Sequence, residues 1–272
     1  MQGGEEAGAS RRGVVTLPRV LHAEWTKLAS LAATTWLVVG TVLAASSLAF
    51  GLGLFAGPGG AVTGTSLAAS GSLLAQLGVL VLGVLVGAEE FSTGTSLTTF
   101  ATVPRRVPVL AAQVLVTAAV ALVTGSVALL ASVLVTAGAR RGAGLSWDVS
   151  DPETLRAAAG YVLFLTGAAV CGVGLGALLR RPAAALTTGV VLFVVVDQVL
   201  AANPGRVTDT VRALLPGSGT RLFADDTRLT ALAAGPGPGP DLGAWGGGLV
   251  LGTWCVVLVL LAGYRLVRHD VT

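Results

Sequence analysis

The segment Gly87–Arg106, "GAEEFSTGTSLTTFATVPRR", separates two long apolar runs, and its reading decides the rest. Upstream, no charged residue occurs between Lys27 and Glu89; downstream, an uncharged run extends from Val107 to Gly138. A carboxylate at the centre of a bilayer costs about 3 kcal/mol on insertion scales and more on others. Glu89 and Glu90 therefore mark where the chain leaves the hydrocarbon. Pro104 suits the first turn of a returning helix, and Arg105 and Arg106 belong at headgroup level. A crossing needs about 20 helical residues, so the upstream run is long enough for two. It breaks at "GPGG" (Gly57–Gly60), where proline and glycine oppose a continuing helix.

The same criterion, carried outward, predicts six spans at 35–55, 71–88, 107–137, 157–179, 183–202 and 243–264. Composition agrees: 53% of the 272 residues are hydrophobic and 11% charged. Soluble domains carry about 25% charged residues, so a water-soluble core of this make-up is excluded. The expected fold class is an all-α integral membrane protein, a multi-pass protein of the cell membrane. Residues 1–16 are expected to form a disordered cytoplasmic tail and 17–272 a single six-span domain. The first 30 residues, with Arg11, Arg12, Arg19, Glu24 and Lys27, do not read as a signal peptide.

The net charge of +3 is compatible with nucleic acid, but the basic residues lie in short pairs between apolar runs. Orientation in a bilayer accounts for them without a nucleic-acid partner. With the N-terminus inside, the inner segments hold ten Arg or Lys against six acids, and the outer loops hold seven of each. This excess predicts an N-in, C-in topology. The longest outer loop, 203–242, contains a stretch suited to a short helix, followed by the Gly/Pro connector "AAGPGPGPDLG".

Ahead of the first span lies "LPRVLHAEWTKLASL" (Leu17–Leu31). Leu17, Leu21, Trp25, Leu28 and Ala32 share one helical stripe, with Arg19, His22 and Thr26 opposite. The pattern describes an N-terminal interfacial amphipathic helix with Trp25 at headgroup level. Glu24 projects near the apolar arc, a place suited either to pairing with Lys27, one turn on, or to touching a partner protein.

Catalytic chemistry finds little to work with. His22 and His269 lie outside the spans, and Cys171 and Cys255 read as small packing residues in apolar helices. "GVGLGA" (Gly172–Ala177) has neither the spacing nor the preceding strand of a dinucleotide loop, and reads as small residues for close helix packing. A Walker loop ends in Gly-Lys followed by Ser or Thr; the sole lysine, Lys27, stands between Thr26 and Leu28. No catalytic, cofactor or metal residues are therefore expected in this chain. Asp197 is the one carboxylate within a span, which makes it a candidate transport-path residue. Its place near Asn203 and Pro204 equally suits contact with interfacial water.

Several of these stretches resemble, in the same order, parts of type-2 ABC exporter permeases, the six-span membrane subunits of bacterial drug, antibiotic and polysaccharide exporters. "EFSTGT" (Glu90–Thr95) with "VPRR" (Val103–Arg106) is similar to their inner loop. "HAEWTKLASL" (His22–Leu31) resembles the interfacial helix, above all in the actinobacterial branch. "GLGALLRRPAAAL" (Gly174–Leu186) resembles the junction of spans four and five. "LLPGSGTRLF" (Leu214–Phe223) is similar to the outer segment before the last span, and "YRLVRHDVT" (Tyr264–Thr272) to the basic tail. Coverage is nearly full length.

The resemblance implies a permease that pairs with a second copy, in a homodimer, and docks two copies of a separate ABC ATPase. ATP and Mg would be bound by that partner, and the cargo would be a small hydrophobic or amphipathic substrate. It also implies a coupling helix in which Glu89, Glu90 and Phe91 begin the element, Gly94 and Thr95 form its turn, and Pro104, Arg105 and Arg106 close it. Glu24, Trp25 and Lys27 would belong to the interfacial helix. Leu97 stands where the family commonly has Arg, and basic residues frequent near Ala29 and Ala32 are missing. A membrane assembly or sensor protein of the same fold, without transport, is the alternative.

Overall fold

The computed structural model describes residues 17–57, 62–92, 106–224 and 242–268, which are helical with short connections and contain no strand. In chain order the helices are α1 (Leu17–Ser30), α2 (Ala32–Gly53), α3 (Gly64–Ala69), α4 (Ser72–Ser92), α5 (Arg106–Val135) and α6 (Ala137–Gly142). There follow α7 (Pro152–Leu179), α8 (Pro182–Val190), a π-helical stretch (Val191–Val195), α9 (Val196–Ala201), α10 (Arg206–Ala213), a 3-10 turn (Pro216–Leu222) and α11 (Gly243–Arg268). Among the described residues six spans are long and apolar enough to cross a membrane: Ala32–Gly53, Gly64–Glu89, Pro108–Val135, Pro152–Leu179, Pro182–Ala201 and Gly243–Arg268. The molecule is a multi-pass membrane protein.

Its surface fits that solvent. Trp36, Phe55, Leu134 and Leu249 are each more than two-thirds exposed, which in water would make an aggregating surface and in lipid is matched. Several hydroxyls within the spans are satisfied locally: Thr41 donates to the Leu37 carbonyl, Ser46 to Val42 and Thr124 to Val120.

The element ends follow from caps that an apolar-run criterion does not weigh. α7 begins at Pro152, ahead of the expected residue 157, because Asp151 accepts from the backbone N–H groups of Glu153 and Thr154. Proline at the first helical position completes that start. The short linker expected between the first two spans contains α3, opened by a reciprocal capping box between Thr63 and Ser66. At the other end of α7, Arg180 adopts a left-handed conformation (φ 57°) and its N–H closes on the Gly176 carbonyl. Pro182 then starts α8, so "LLRRP" is a sharp reversal between spans.

α4 and α7 are the buried centre, whereas the Pro182–Ala201 span and α11 are mostly exposed. Each central helix carries a Gly-xxx-Gly pair facing the other, Gly83 and Gly87 on α4, Gly172 and Gly176 on α7. A Cβ on Gly83 would lie 2.0 Å from the Ala169 carbonyl oxygen, and one on Gly87 2.2 Å from that of Val173. From the other side, Gly172 would meet the Leu80 carbonyl oxygen at 2.7 Å and Gly176 that of Val84 at 2.5 Å. The two backbones are thus in contact, the arrangement small residues permit between membrane helices. The "GVGLGA" stretch serves packing, as its composition indicates.

The segment 214–223 folds back against α7 and α11. Glycines again make the bed: a Cβ on Gly160 would collide with the Leu222 carbonyl oxygen, and one on Gly247 with that of Ser218, each at 2.3 Å. Arg156 donates to the Leu222 carbonyl (3.0 Å), and the Trp254 indole N–H to that of Leu214 (2.9 Å). Phe223 packs edge-on to Tyr161, ring centroids 5.5 Å apart. Irregular backbone is tolerated here because protein, not lipid, covers it.

The free thiols of Cys171 on α7 and Cys255 on α11 are 3.4 Å apart. Oxidation of the membrane-embedded protein with copper phenanthroline is expected to join them in one intramolecular disulfide. Denatured afterwards, the chain would take up no maleimide-polyethylene glycol until reduced. Two thiols still reactive after oxidation would show that α7 and α11 pack in another register.

Candidate functional site

Of the expected coupling residues, Glu89 meets Glu24 and Lys27 of the first helix where α1 reaches the last turn of α4. α1 is held there by its apolar face: Leu28 is buried with Leu82 and Val86 of α4 and Val116 of α5, and Leu21 packs beside them. α2 starts after a one-residue break at Leu31, so α1 is a separate element rather than an extension of the first span.

That packing brings three charges together. Lys27 Nζ lies 3.1 Å from Glu89 Oε2 and 3.9 Å from Glu24 Oε2. The Glu24–Lys27 contact is the one the helical spacing predicts. Lys27 to Glu89 is new: the sequence gives no local signal that pairs a lysine of the first helix with the exit carboxylates. Glu24 is largely buried, and burial raises its pKa above the ordinary carboxylate range; Lys27 pulls it down and Glu89 pushes it up. Lys27 thus lies between two carboxylates, one buried and one at a helix end.

α4 continues through Glu89, Glu90, Phe91 and Ser92, so the exit residues form the last turn of a helix. The side chains of Glu90 and Phe91, and residues Gly94, Thr95, Pro104 and Arg105, lie outside the described residues, as does the side chain of Arg106, the first residue of α5. The expected disordered tail, 1–16, and the Gly/Pro connector also lie outside, except for Leu242 and Gly243 at the connector's end. Trp25 is half exposed, beside the α1–α2 junction. At this same end the Arg265 guanidinium donates to the Leu178 carbonyl, tying α11 to the end of α7.

Asp197 sits at the opposite end of the bundle and is engaged. Arg212 of α10 grips its carboxylate in a fork, Nε to Oδ1 at 2.9 Å and the terminal nitrogen to Oδ2 at 3.4 Å. Among the described residues no group of three His, Cys, Asp or Glu side chains is placed to hold a metal ion. What the site offers is ionic and mechanical: charges at a helix end, connected through α4 to the tightest interface in the bundle. No protein-family model matches the chain, and no curated protein matches it.

Proposed function

We propose that this chain is the membrane permease subunit of an ATP-driven exporter of the type-2 ABC kind. It would work in the cell membrane with both termini inside, as a homodimer, with two copies of a separate ATPase docked at the Glu89 end. The observation that carries this reading is the Lys27–Glu89 ion pair at 3.1 Å. It clamps α1 to the last turn of α4, next to the loop whose "EFSTGT" and "VPRR" resemble a coupling helix.

The mechanical argument runs from that clamp inward. A partner pressing on the 93–105 loop pushes α4 along its axis. α4 touches α7 backbone to backbone at Gly83, Gly87, Gly172 and Gly176, so it cannot slide without displacing α7. Packed interfaces respond by shifting between discrete arrangements rather than by deforming. ATP binding by the partner would select one arrangement and its release the other, and a drive exists only if the contacts differ between them. A small hydrophobic or amphipathic cargo would pass between the two copies, along apolar surface.

Copurification of the tagged chain with a nucleotide-binding protein tests the partnership, and charge exchange tests the clamp. Lys27→Glu and Glu89→Lys are each expected to lower the ATPase turnover of the reconstituted complex severalfold while leaving membrane insertion intact. The double exchange is expected to recover much of it. Unchanged turnover in both single variants would remove the clamp from the mechanism.

A further inference from the structure

The chain has two cysteines in 272 residues, and the fold brings them into contact, Cys171 Sγ on α7 lying 3.4 Å from Cys255 Sγ on α11. Two glycines of α7 hold that register. A Cβ on Gly167, one turn before Cys171, would lie 2.6 Å from Leu251 Cδ2. One on Gly174, a turn after Cys171, would lie 2.8 Å from Leu258 Cβ. Leu251 and Leu258 flank Cys255 at the same spacings, so both leucines seat in notches beside the thiols and oppose any slip of α11 along α7. The thiol hydrogens are placed as well. Cys255 donates to the Gly167 carbonyl at 3.3 Å, and with that one hydrogen used, its sulfur accepts from Cys171.

The surroundings restrict what can react with this pair. Cys255 stands midway along the 26-residue α11, about 18–20 Å of helix from either end, so the thiols lie deep in the hydrocarbon. Cys171 is fully buried, whereas Cys255 is partly exposed. Gly252, one turn before Cys255, has no atom within 4 Å of where a Cβ would stand, and Val256, next to Cys255, is 56% exposed. This gap opens Cys255 toward lipid, not toward water. Exchange with a water-soluble disulfide proceeds through a thiolate, a charge that the bilayer interior opposes. An oxidant that dissolves in lipid and takes protons together with electrons leaves no charge behind.

We propose that Cys171 and Cys255 form a redox-active dithiol, oxidised by a membrane quinone that arrives at Cys255 from the lipid. The two S–H bonds break and one Sγ–Sγ bond forms. Two electrons and both protons pass to the two carbonyl oxygens of the quinone, which leaves as the hydroquinone. The product staples α7 to α11 across 84 positions of chain, and each chain turns over once until it is reduced. Quinones are adequate oxidants for this step, since in the periplasm they sustain even strongly oxidising protein disulfides. The inference depends on the membrane fold and is independent of the transport proposal.

The test uses the full chain in phosphatidylcholine nanodiscs under nitrogen, with decylubiquinone and glutathione disulfide as alternative oxidants. Every ring carbon of decylubiquinone carries a substituent, so the reaction ends in electron transfer and not in a stable adduct. One hydroquinone per chain is expected by absorbance, with both thiols lost to maleimide and a higher melting temperature. Glutathione disulfide at the same concentration is expected to leave both thiols free. Cys171→Ser and Cys255→Ser are each expected to yield no hydroquinone. Gly252→Leu, placed where the side chain has open space, is expected to cover Cys255 and slow the reaction severalfold. Thiols that the quinone leaves free but copper phenanthroline joins would overturn the proposal while leaving the α7–α11 register in place. Hydroquinone formed equally by a single-cysteine variant, or an undiminished rate in Gly252→Leu, would overturn it as well.

Discussion

Gly83→Leu is expected to abolish the folded bundle, whereas Gly40→Leu, in a helix of similar hydropathy, is expected to leave it intact. The contrast isolates one cause. No atom lies within 4 Å of a Cβ at Gly40, but at Gly83 the Ala169 carbonyl oxygen stands 2.0 Å away and the Ala169 carbon and Val173 nitrogen follow at 2.9 and 3.0 Å. These are backbone atoms of α7, which no rotamer change can move. Even Gly83→Ala is expected to destabilise, although alanine improves helix propensity by about 1 kcal/mol. A leucine there forces α4 and α7 apart along their whole contact and strips close packing from both, at a cost of roughly 3 kcal/mol or more. In membranes that loss is not offset by hydrophobic burial, since the separated faces meet lipid. Thermal unfolding in detergent, followed by size exclusion, is the measurement. Equal melting temperatures for Gly83→Leu and Gly40→Leu would show that α4 and α7 do not meet at these glycines.

Much of the bundle is legible in the sequence because the energy of burying charge is large and local. Glu89 and the Arg180–Pro182 stretch set helix ends that the structure places within a few residues of the expected positions. α7 starts early for a reason also written locally, the "DPET" cap, which a count of apolar residues ignores. α3 escaped for the same reason, its "TGTS" cap being read as linker. The glycines of "GVGLGA" announce close packing but not their partner, because a small-residue face is compatible with any neighbouring helix. The candidate site was half visible. Helical spacing gives Glu24 with Lys27, while Lys27 with Glu89 depends on α1 turning back across α4, which is a property of tertiary packing. The π-helical stretch Val191–Val195 has no signature in "VLFVVV" that separates it from an ordinary apolar helix.

That π-helical stretch bears on Asp197, where the second large effect is expected. One extra residue in a turn rotates everything after it by about 100°, and Asp197 follows two positions later. So rotated, its carboxylate faces the 3-10 segment, with Gly217 against its side chain and Arg212 within bidentate reach. Breaking a buried pair costs about 3–5 kcal/mol and a surface pair no more than about 1. The side chains here retain 29% and 19% of their exposure, so solvent screening sets the expectation between these limits, about 2 kcal/mol for Asp197→Asn. Arg212→Gln is expected to cost about the same. The double variant is expected to lose hardly more than either alone, since the second change removes the charge that the first left stranded. Transport would respond differently: a carboxylate acting on cargo is not spared by neutralising Arg212, so an activity loss in Asp197→Asn that persists in the double variant assigns it to the transport path. Additive stability losses would instead mean that the fork is not what fixes the α9–α10 corner.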